Sequence, residues 1–312
     1  MLRKQSQGSL RNFPSYLGLS DRDFSLRIEK LYSLMSQCGL CPRKCGAKRL
    51  RGEKGICGAG DKLKIASINL HFGEEPPISG TNGSGAIFFS GCSLKCKFCQ
   101  NYPISRFCNG KIYSVSGLAR DMVRLQERGA HNINLVTPSH FMPFVAHALF
   151  IAKREGLSIP LVYNSSGYED VELLRLLESI VDIYLPDIKY SDDAHSLRYS
   201  GVKDYVRHNK LALEAMRKQA GNLVLDENGI AVSGMIIRHL VLPENLSGYA
   251  DSFRFIGNEI GKDACVSLMN QYFPAYKAEF DERINRKITK EEYRKAISEL
   301  NKAGLKGYCQ EP

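Results

Sequence analysis

"AIFFSGCSLKCKFCQNY", residues 86–102, runs a short apolar strand straight into a loop with three cysteines in eight positions. The apolar run Ala86 to Phe89 breaks at Ser90-Gly91, and Cys92, Cys96 and Cys99 follow at once. A structural zinc site takes four closed ligands, whereas three thiolates leave a metal with a coordination position for chemistry. Thiolates suit zinc and iron–sulfur clusters, and three cysteines can hold three irons of a cubane while the fourth stays open. A fourth protein ligand would have to come from elsewhere. His131 and His140 have the right chemistry, but each lies at or near a different strand end.

Downstream, the strand-then-polar-end theme repeats. "INLVTP", "IPLVYNSSG", "VDIYLPDIKY", "GMIIRHLVLP" and "ACVSLMNQY" read as five more short strands. The stretches between them, such as "SGLARDMVRLQERG", "FVAHALFIAKREG", "DVELLRLLESI" and "DYVRHNKLALEAMRKQAG", carry apolar residues at helical spacing. Six strands alternating with helices fit either an open doubly wound sheet or an incomplete barrel. Polar clusters at the ends of successive strands favour the barrel, because α/β barrels gather function at the C-terminal ends of their strands. An open sheet would concentrate it at one switch point. The expectation is an α/β fold: a partial (β/α)6, TIM-like barrel over residues 86–277.

Upstream lies an extension, residues 1–85, and downstream a helical tail, residues 278–312, with "TKEEYRKAISELNKAG" as a helix stopped at Gly304. The extension has a helical pattern at 23–35 and then Cys38-x2-Cys41-x3-Cys45-x11-Cys57, which supplies four ligands and so a complete site. Its metal is either zinc or a second iron–sulfur cluster. Zinc would fold a loose lobe, and a cluster could relay electrons or bind substrate. Arg43, Lys44, Lys48, Arg49 and Arg51 would soften the negative charge of four thiolates.

The rest of the composition sets limits. The 312 residues are 43% hydrophobic and 24% charged, as in an ordinary globular protein. No apolar run reaches the roughly 18 residues that a membrane span needs. The basic start lacks the apolar core and cleavage site of a secretory signal, so cytoplasm is the expected location, with an organelle transit segment the lesser alternative. Seven of the ten cysteines fall in the two sets, which in a reducing compartment suggests metal ligands; Cys108, Cys265 and Cys309 read as ordinary thiols. A net charge of +10 fits an acidic partner, but the basic residues are spread out and no nucleic-acid module is recognisable, so nucleic acid is not the expected partner.

C-x3-C-x2-C with Phe98 before the last cysteine, placed after the first strand of a parallel array, resembles the radical S-adenosylmethionine (SAM) superfamily. "CGLCPRKCGAKRLRGEKGICG", "GCSLKCKFCQNYPIS", "NINLVTPSHF", "VYNSSGYE", "VDIYLPDIKY", "IRHLVLPEN" and "VSLMNQYFPAY" together are similar to its subfamily related to pyruvate formate-lyase activating enzyme. The resemblance implies a [4Fe-4S] cluster on Cys92, Cys96 and Cys99 whose open iron is chelated by SAM. It implies reductive cleavage to a 5′-deoxyadenosyl radical that abstracts hydrogen, an electron donor such as flavodoxin or ferredoxin, and in some members a glycyl-radical enzyme as partner. The family's Gly-Gly-Glu after the second strand, which receives the methionine amino group, is replaced here by Thr137-Pro138-Ser139-His140. Thr137 and His140 are then the candidate substitutes. Asn164 and Ser166 match third-strand positions that meet the ribose or methionine, and Asp187 and Lys189 match a fourth-strand Asp-x-Lys. Arg238 and His239 face opposite sides of the fifth strand, so only one lines the cavity.

Each polar residue also has a plainer reading. Asp187 and Lys189 make a rim salt bridge, Asn164 to Gly167 cap the next helix, Arg238 snorkels to solvent, and Met269 and Tyr272 are packing. Three functions compete: an activase of a glycyl-radical enzyme, the same radical chemistry on a small molecule or peptide, and a non-catalytic zinc or RNA-interaction protein.

Overall fold

The computed structural model describes residues 14–310; the basic start on which a leader reading rests lies mostly outside them. The first helix, α1 (Asp21–Ser33), begins where Ser20 Oγ accepts the Asp23 amide at 3.1 Å, and it buries Phe24, Ile28 and Leu31. Then come β1 (Leu63–His71), the short α2 (Pro76–Ser79), β2 (Ser84–Phe89), α3 (Tyr102–Ser105), β3 (Lys111–Tyr113), α4 (Val115–Glu127) and β4 (Ile133–Val136). The chain continues through α5 (Met142–Arg154), β5 (Leu161–Ser165), α6 (Val171–Leu176), β6 (Ile183–Ile188), α7 (Asp193–Ser200), α8 (Tyr205–Ala220) and β7 (Val224–Leu225). It ends with β8 (Ala231–Leu240), α9 (Tyr249–Phe255), β9 (Cys265–Met269), α10 (Lys290–Lys302) and β10 (Lys306–Cys309).

Strands β2, β4, β5, β6, β8 and β9 pair in that order, every pair parallel. The order never reverses, which is the barrel progression and not the doubly wound one. β1 and β3 add antiparallel strands beyond β2, and β10 adds a parallel strand beyond β9, so the sheet stays open along a seam. These six parallel strands are the six read from sequence. The short β3, β7 and β10, and helices α2, α3, α7 and α9, are additions that sequence periodicity did not reveal, most of them too short for a period to register.

Curvature is visible in what fills the bore. Because β1 runs antiparallel to β2, the chain leaving it emerges at the N-terminal end of the parallel strands, and α2 turns back into the interior. Ile78 on α2 is fully buried against Val162 of β5, Ile183 and Leu185 of β6, and Ala231 and Ile236 of β8. Just before α2, Glu74 Oε2 reaches Arg238 on β8 at 3.5 Å. In a flat sheet β1 and β8 would stand five strand spacings apart, about 24 Å. The sheet therefore wraps around a plug made by its own β1–β2 connection. Helices α1, α4, α5 and α8 cover the outside, with Phe24 packed on Phe150 at 5.3 Å between ring centres. Among the described residues no helix is long and apolar enough to cross a membrane.

Candidate active site

The cysteine loop springs from the C-terminal end of β2. Gly91 turns it with φ near +90°, and a Cβ there would lie 2.4 Å from the Cys57 carbonyl oxygen, so only glycine fits. The loop is held by backbone bonds: the Cys92 amide donates to Cys57 O (3.3 Å), Lys95 to Ser200 O (2.9 Å) and Lys97 to Tyr199 O (2.8 Å). Two hydroxyls meet the thiols, Ser200 Oγ at 2.9 Å from Cys96 Sγ and Ser105 Oγ at 3.1 Å from Cys99 Sγ. Burial, with the nearby Cys96 and Cys99 sulfurs, pushes the Cys92 thiol up to about 12. A thiolate there needs a positive partner, which a metal supplies.

Around this loop the strand ends bring together Asn164, Asp187, Lys189 and Arg238. Arg238 turns inward: its Nε donates to Asp187 Oδ1 (2.8 Å) and its Nη2 to Asn164 Oδ1 (2.6 Å). His239 turns outward and packs on Phe253 of α9. Lys189 Nζ donates to Asp187 Oδ2 at 2.6 Å. Burial works against ionising Asp187, but Arg238 and Lys189 outweigh it and hold the carboxyl below its usual range. Burial likewise opposes the Lys189 charge, and Asp187 with the Cys96 sulfur restores it. Lys189 thus stands between the carboxylate network and the cysteine loop.

Thr137 takes φ near +58°, a conformation that suits glycine and strains a β-branched residue, while its amide donates to Asn164 O at 2.8 Å. His140 is buried with Nε2 2.8 Å from the Ser90 carbonyl. Burial lowers it to about 4, so the ring is neutral and donates that bond. It props the start of the cysteine loop from below. Ser166 contributes its carbonyl, which accepts from Tyr205 Oη at 2.8 Å; the same hydroxyl lies 3.1 Å from Asp187 O and accepts the Lys189 amide.

The four-cysteine box packs directly against the loop. Besides the Cys57–Cys92 bond, Lys95 Nζ donates to Ile56 O (2.6 Å) and Arg43 Nε to Ser93 O (3.0 Å). Arg49 of the box, fully buried, donates to Gly60 O just past it and to His140 O on the barrel, tying the two together. A Cβ on Gly55 would sit 3.3 Å from Cys45 Sγ and 3.4 Å from Cys57 Sγ, so these thiols converge on one point. Burial opposes a Cys45 thiolate, but amides of Ala47 and Ile56 bring it down. Among the described residues no three such side chains are already closed to metal-holding geometry. Cys108 lies beside the box, with Sγ 3.9 Å from Cys57 O.

Two residues outside the sequence reading belong to this region. Glu169 is buried where Ser139 Oγ (2.8 Å) and Tyr163 Oη (2.9 Å) both donate to it, and burial, which these bonds only partly offset, pushes it up to about 7. Glu74 bridges His71 and Arg238. Glu169 ends the quoted "VYNSSGYE" stretch, and the acidic pair before Pro76-Pro77 is the one signal for Glu74.

The model of the Radical SAM superfamily matches residues 86–256, more than half of the chain. The chain belongs to the radical SAM superfamily. An uncharacterized protein of Methanocaldococcus jannaschii is 32% identical over 295 residues, which cover 90% of this chain and 79% of that protein. The pyruvate formate-lyase-activating enzyme of Clostridium pasteurianum is 24% identical over 192 residues, covering 59% of this chain and 71% of that enzyme. Among solved structures, a radical SAM methyltransferase from Sphaerobacter thermophilus aligns with a TM-score of 0.48 at 14% identity, over 73% of this chain and 66% of that one.

Membership of the radical SAM superfamily implies a [4Fe-4S] cluster and SAM. The residues present fit both. Three thiols share one loop, hydroxyls already meet two of them, and the cationic Lys189 and Arg238 stand beside them with Asn164 and Asp187. That is a donor set for a thiolate-held cluster and for the charged ends of an amino acid.

Proposed function

We propose that Cys92, Cys96 and Cys99 hold the [4Fe-4S] cluster and that Asn164, Asp187, Lys189 and Arg238 bind SAM beside it. The convergence of the thiol loop and this charged strand-end network at one end of the barrel carries the reading. When bound, the cluster supplies the electron that cleaves SAM to the 5′-deoxyadenosyl radical. The chain's own part is to place and shield. Lys189, kept protonated by Asp187, offers a cation to a carboxylate, and Arg238 holds Asp187 and Asn164 in position for it. Thr137 and Ser166 lie at the neighbouring strand ends, where backbone carbonyls and hydroxyls can meet the amino group or ribose, with His140 fixing the loop beneath.

The activity we infer is that of an activating enzyme, with hydrogen abstraction from a glycyl-radical enzyme fed by a flavodoxin- or ferredoxin-type donor. The similarity to the Clostridium pasteurianum enzyme supports it. A second reading, the same radical acting on a small molecule or peptide, is favoured by a cavity of about 510 Å³ that opens beside Arg238. The four-cysteine box is a second metal site in both readings, for zinc or another cluster, and a cytoplasmic location suits such oxygen-sensitive thiols. Anaerobic reconstitution with iron and sulfide, followed by 5′-deoxyadenosine measurement, tests the core of the proposal. Wild-type protein should form it and Cys96→Ala should not. A wild type no better than that variant would overturn the reading, and colourless zinc-loaded protein would favour a non-catalytic role.

A further inference from the structure

The cavity beside Arg238 lies along the open seam, between the chain at 73–76, β8, β9 and β10. Its wall includes Glu74, Glu75, Ser267, Met269 and Tyr308. Arg238 and Ser267 are register partners on adjacent parallel strands, so both face this interior. Three acids, Asp187, Glu75 and Glu74, share Arg238 as a common cation. Asp187 is matched by Lys189 and Arg238, and Glu74 by His71 (3.4 Å) and Arg238 (3.5 Å). Glu75 is 92% buried, yet among the described residues it makes no ion pair, and its Oε2 has no hydrogen-bond partner. Burial raises its carboxyl above the usual range, and Arg238 and Ser267, pulling the other way against Glu74, offset this only in part. A buried carboxyl with an unmatched oxygen is costly unless something satisfies it.

We propose that this cavity is the substrate pocket and that Glu75 recognises an organic cation, an ammonium or guanidinium group, on the molecule that gives up hydrogen. This rests on the reading of the strand-end network as the SAM site. Arg238 is shared by both, so a group seated on Glu75 lies one side chain away from the cofactor pocket. The apolar surface of Met269 and the Tyr308 ring would flank the alkyl stem that such a cation carries. The cation comes either from an amino-acid side chain within a peptide or from a free small molecule, and the two differ in what is attached to the stem.

Equilibrium binding without reductant separates this inference from SAM cleavage, since either can fail alone. The full chain is titrated with butylguanidinium, with N-acetyl-arginine amide as the peptide-like arm, and with N-acetyl-norleucine amide as a neutral control. Both cations should bind saturably and the neutral compound should not, and the tighter arm names the source. Glu75→Gln should weaken cation binding about tenfold or more while leaving the melting temperature unchanged or higher. Saturating SAM should leave cation binding in place. The proposal is overturned if the neutral compound binds wild type as well as the cations do, or if no cation binds. It is also overturned if Glu75→Gln binds cations as the wild type does, or if SAM expels them, which would make Glu75 part of the cofactor pocket.

Discussion

Glu169 offers a quantitative test of how the strand ends are built. Its carboxyl moves from an ordinary 4.5 to about 7, mainly through burial. At 1.36 kcal/mol per pKa unit, keeping it ionised in the folded chain costs about 3 kcal/mol. A carboxyl with a raised folded pKa holds its proton more tightly folded than unfolded. Stability contributed by Glu169 is therefore greatest at low pH, falls as pH rises from about 4.5 to about 7, and is fully lost above that window. Glu169→Gln cannot ionise. Its amide nitrogen accepts no hydrogen bond, so one of the Ser139 and Tyr163 hydroxyls loses its acceptor, which sets a pH-independent penalty of about 1 kcal/mol. The stability of Glu169→Gln minus that of the wild type should thus rise by about 2.5 kcal/mol from about pH 5 to about pH 8, whatever its starting value. Anaerobic urea unfolding of both proteins across that range measures it, and taking the difference removes the titration of every other group. A flat difference, or one that falls with pH, would refute the claim that Glu169 is buried without a compensating cation.

Other perturbations probe the remaining supports. Arg238→Met leaves Asp187 with Lys189 alone and Glu74 with His71 alone, and should cost about 3–5 kcal/mol in denaturant unfolding, with Asp187→Asn recovering part in the double variant. An additive double variant would show that the pair is not coupled. Gly91→Ala must escape both a left-handed backbone and the Cys57 carbonyl, and should cost about 2–4 kcal/mol; an unchanged unfolding midpoint would contradict the close approach of box and loop. Ile78→Ala should cost about 2–5 kcal/mol, because the barrel bore can collapse little around the missing atoms. A loss below about 1 kcal/mol would mean that α2 is not the plug.

Much of the architecture was legible in the chain because its signals are local. Six short apolar segments, each ending in a polar cluster, announce six parallel strands, and alternation puts Asp187 and Lys189 on one face and Arg238 and His239 on opposite faces. The cysteine spacings are equally local. What the chain could not disclose is which of Arg238 and His239 turns inward. The helices packed outside β8 decide that, and α9, which receives His239, has too short a period to be read. Nor could it show β10, whose four residues become a strand only because β9 is there to pair.

Where thiols and charges sit along the chain is local information, since spacing and strand period are properties of neighbours. Which of them meet is set by the folded chain. Arg238 joins Asn164, Asp187 and Glu74 from 74, 51 and 164 positions away, and Cys57 meets Cys92 across 35. Such contacts arise from sheet curvature and from the return of α2 into the bore, and no local pattern records them. Glu75 is a product of the same fold: an acid before two prolines in the chain becomes a buried carboxyl with an unpartnered oxygen only once the sheet curves around it.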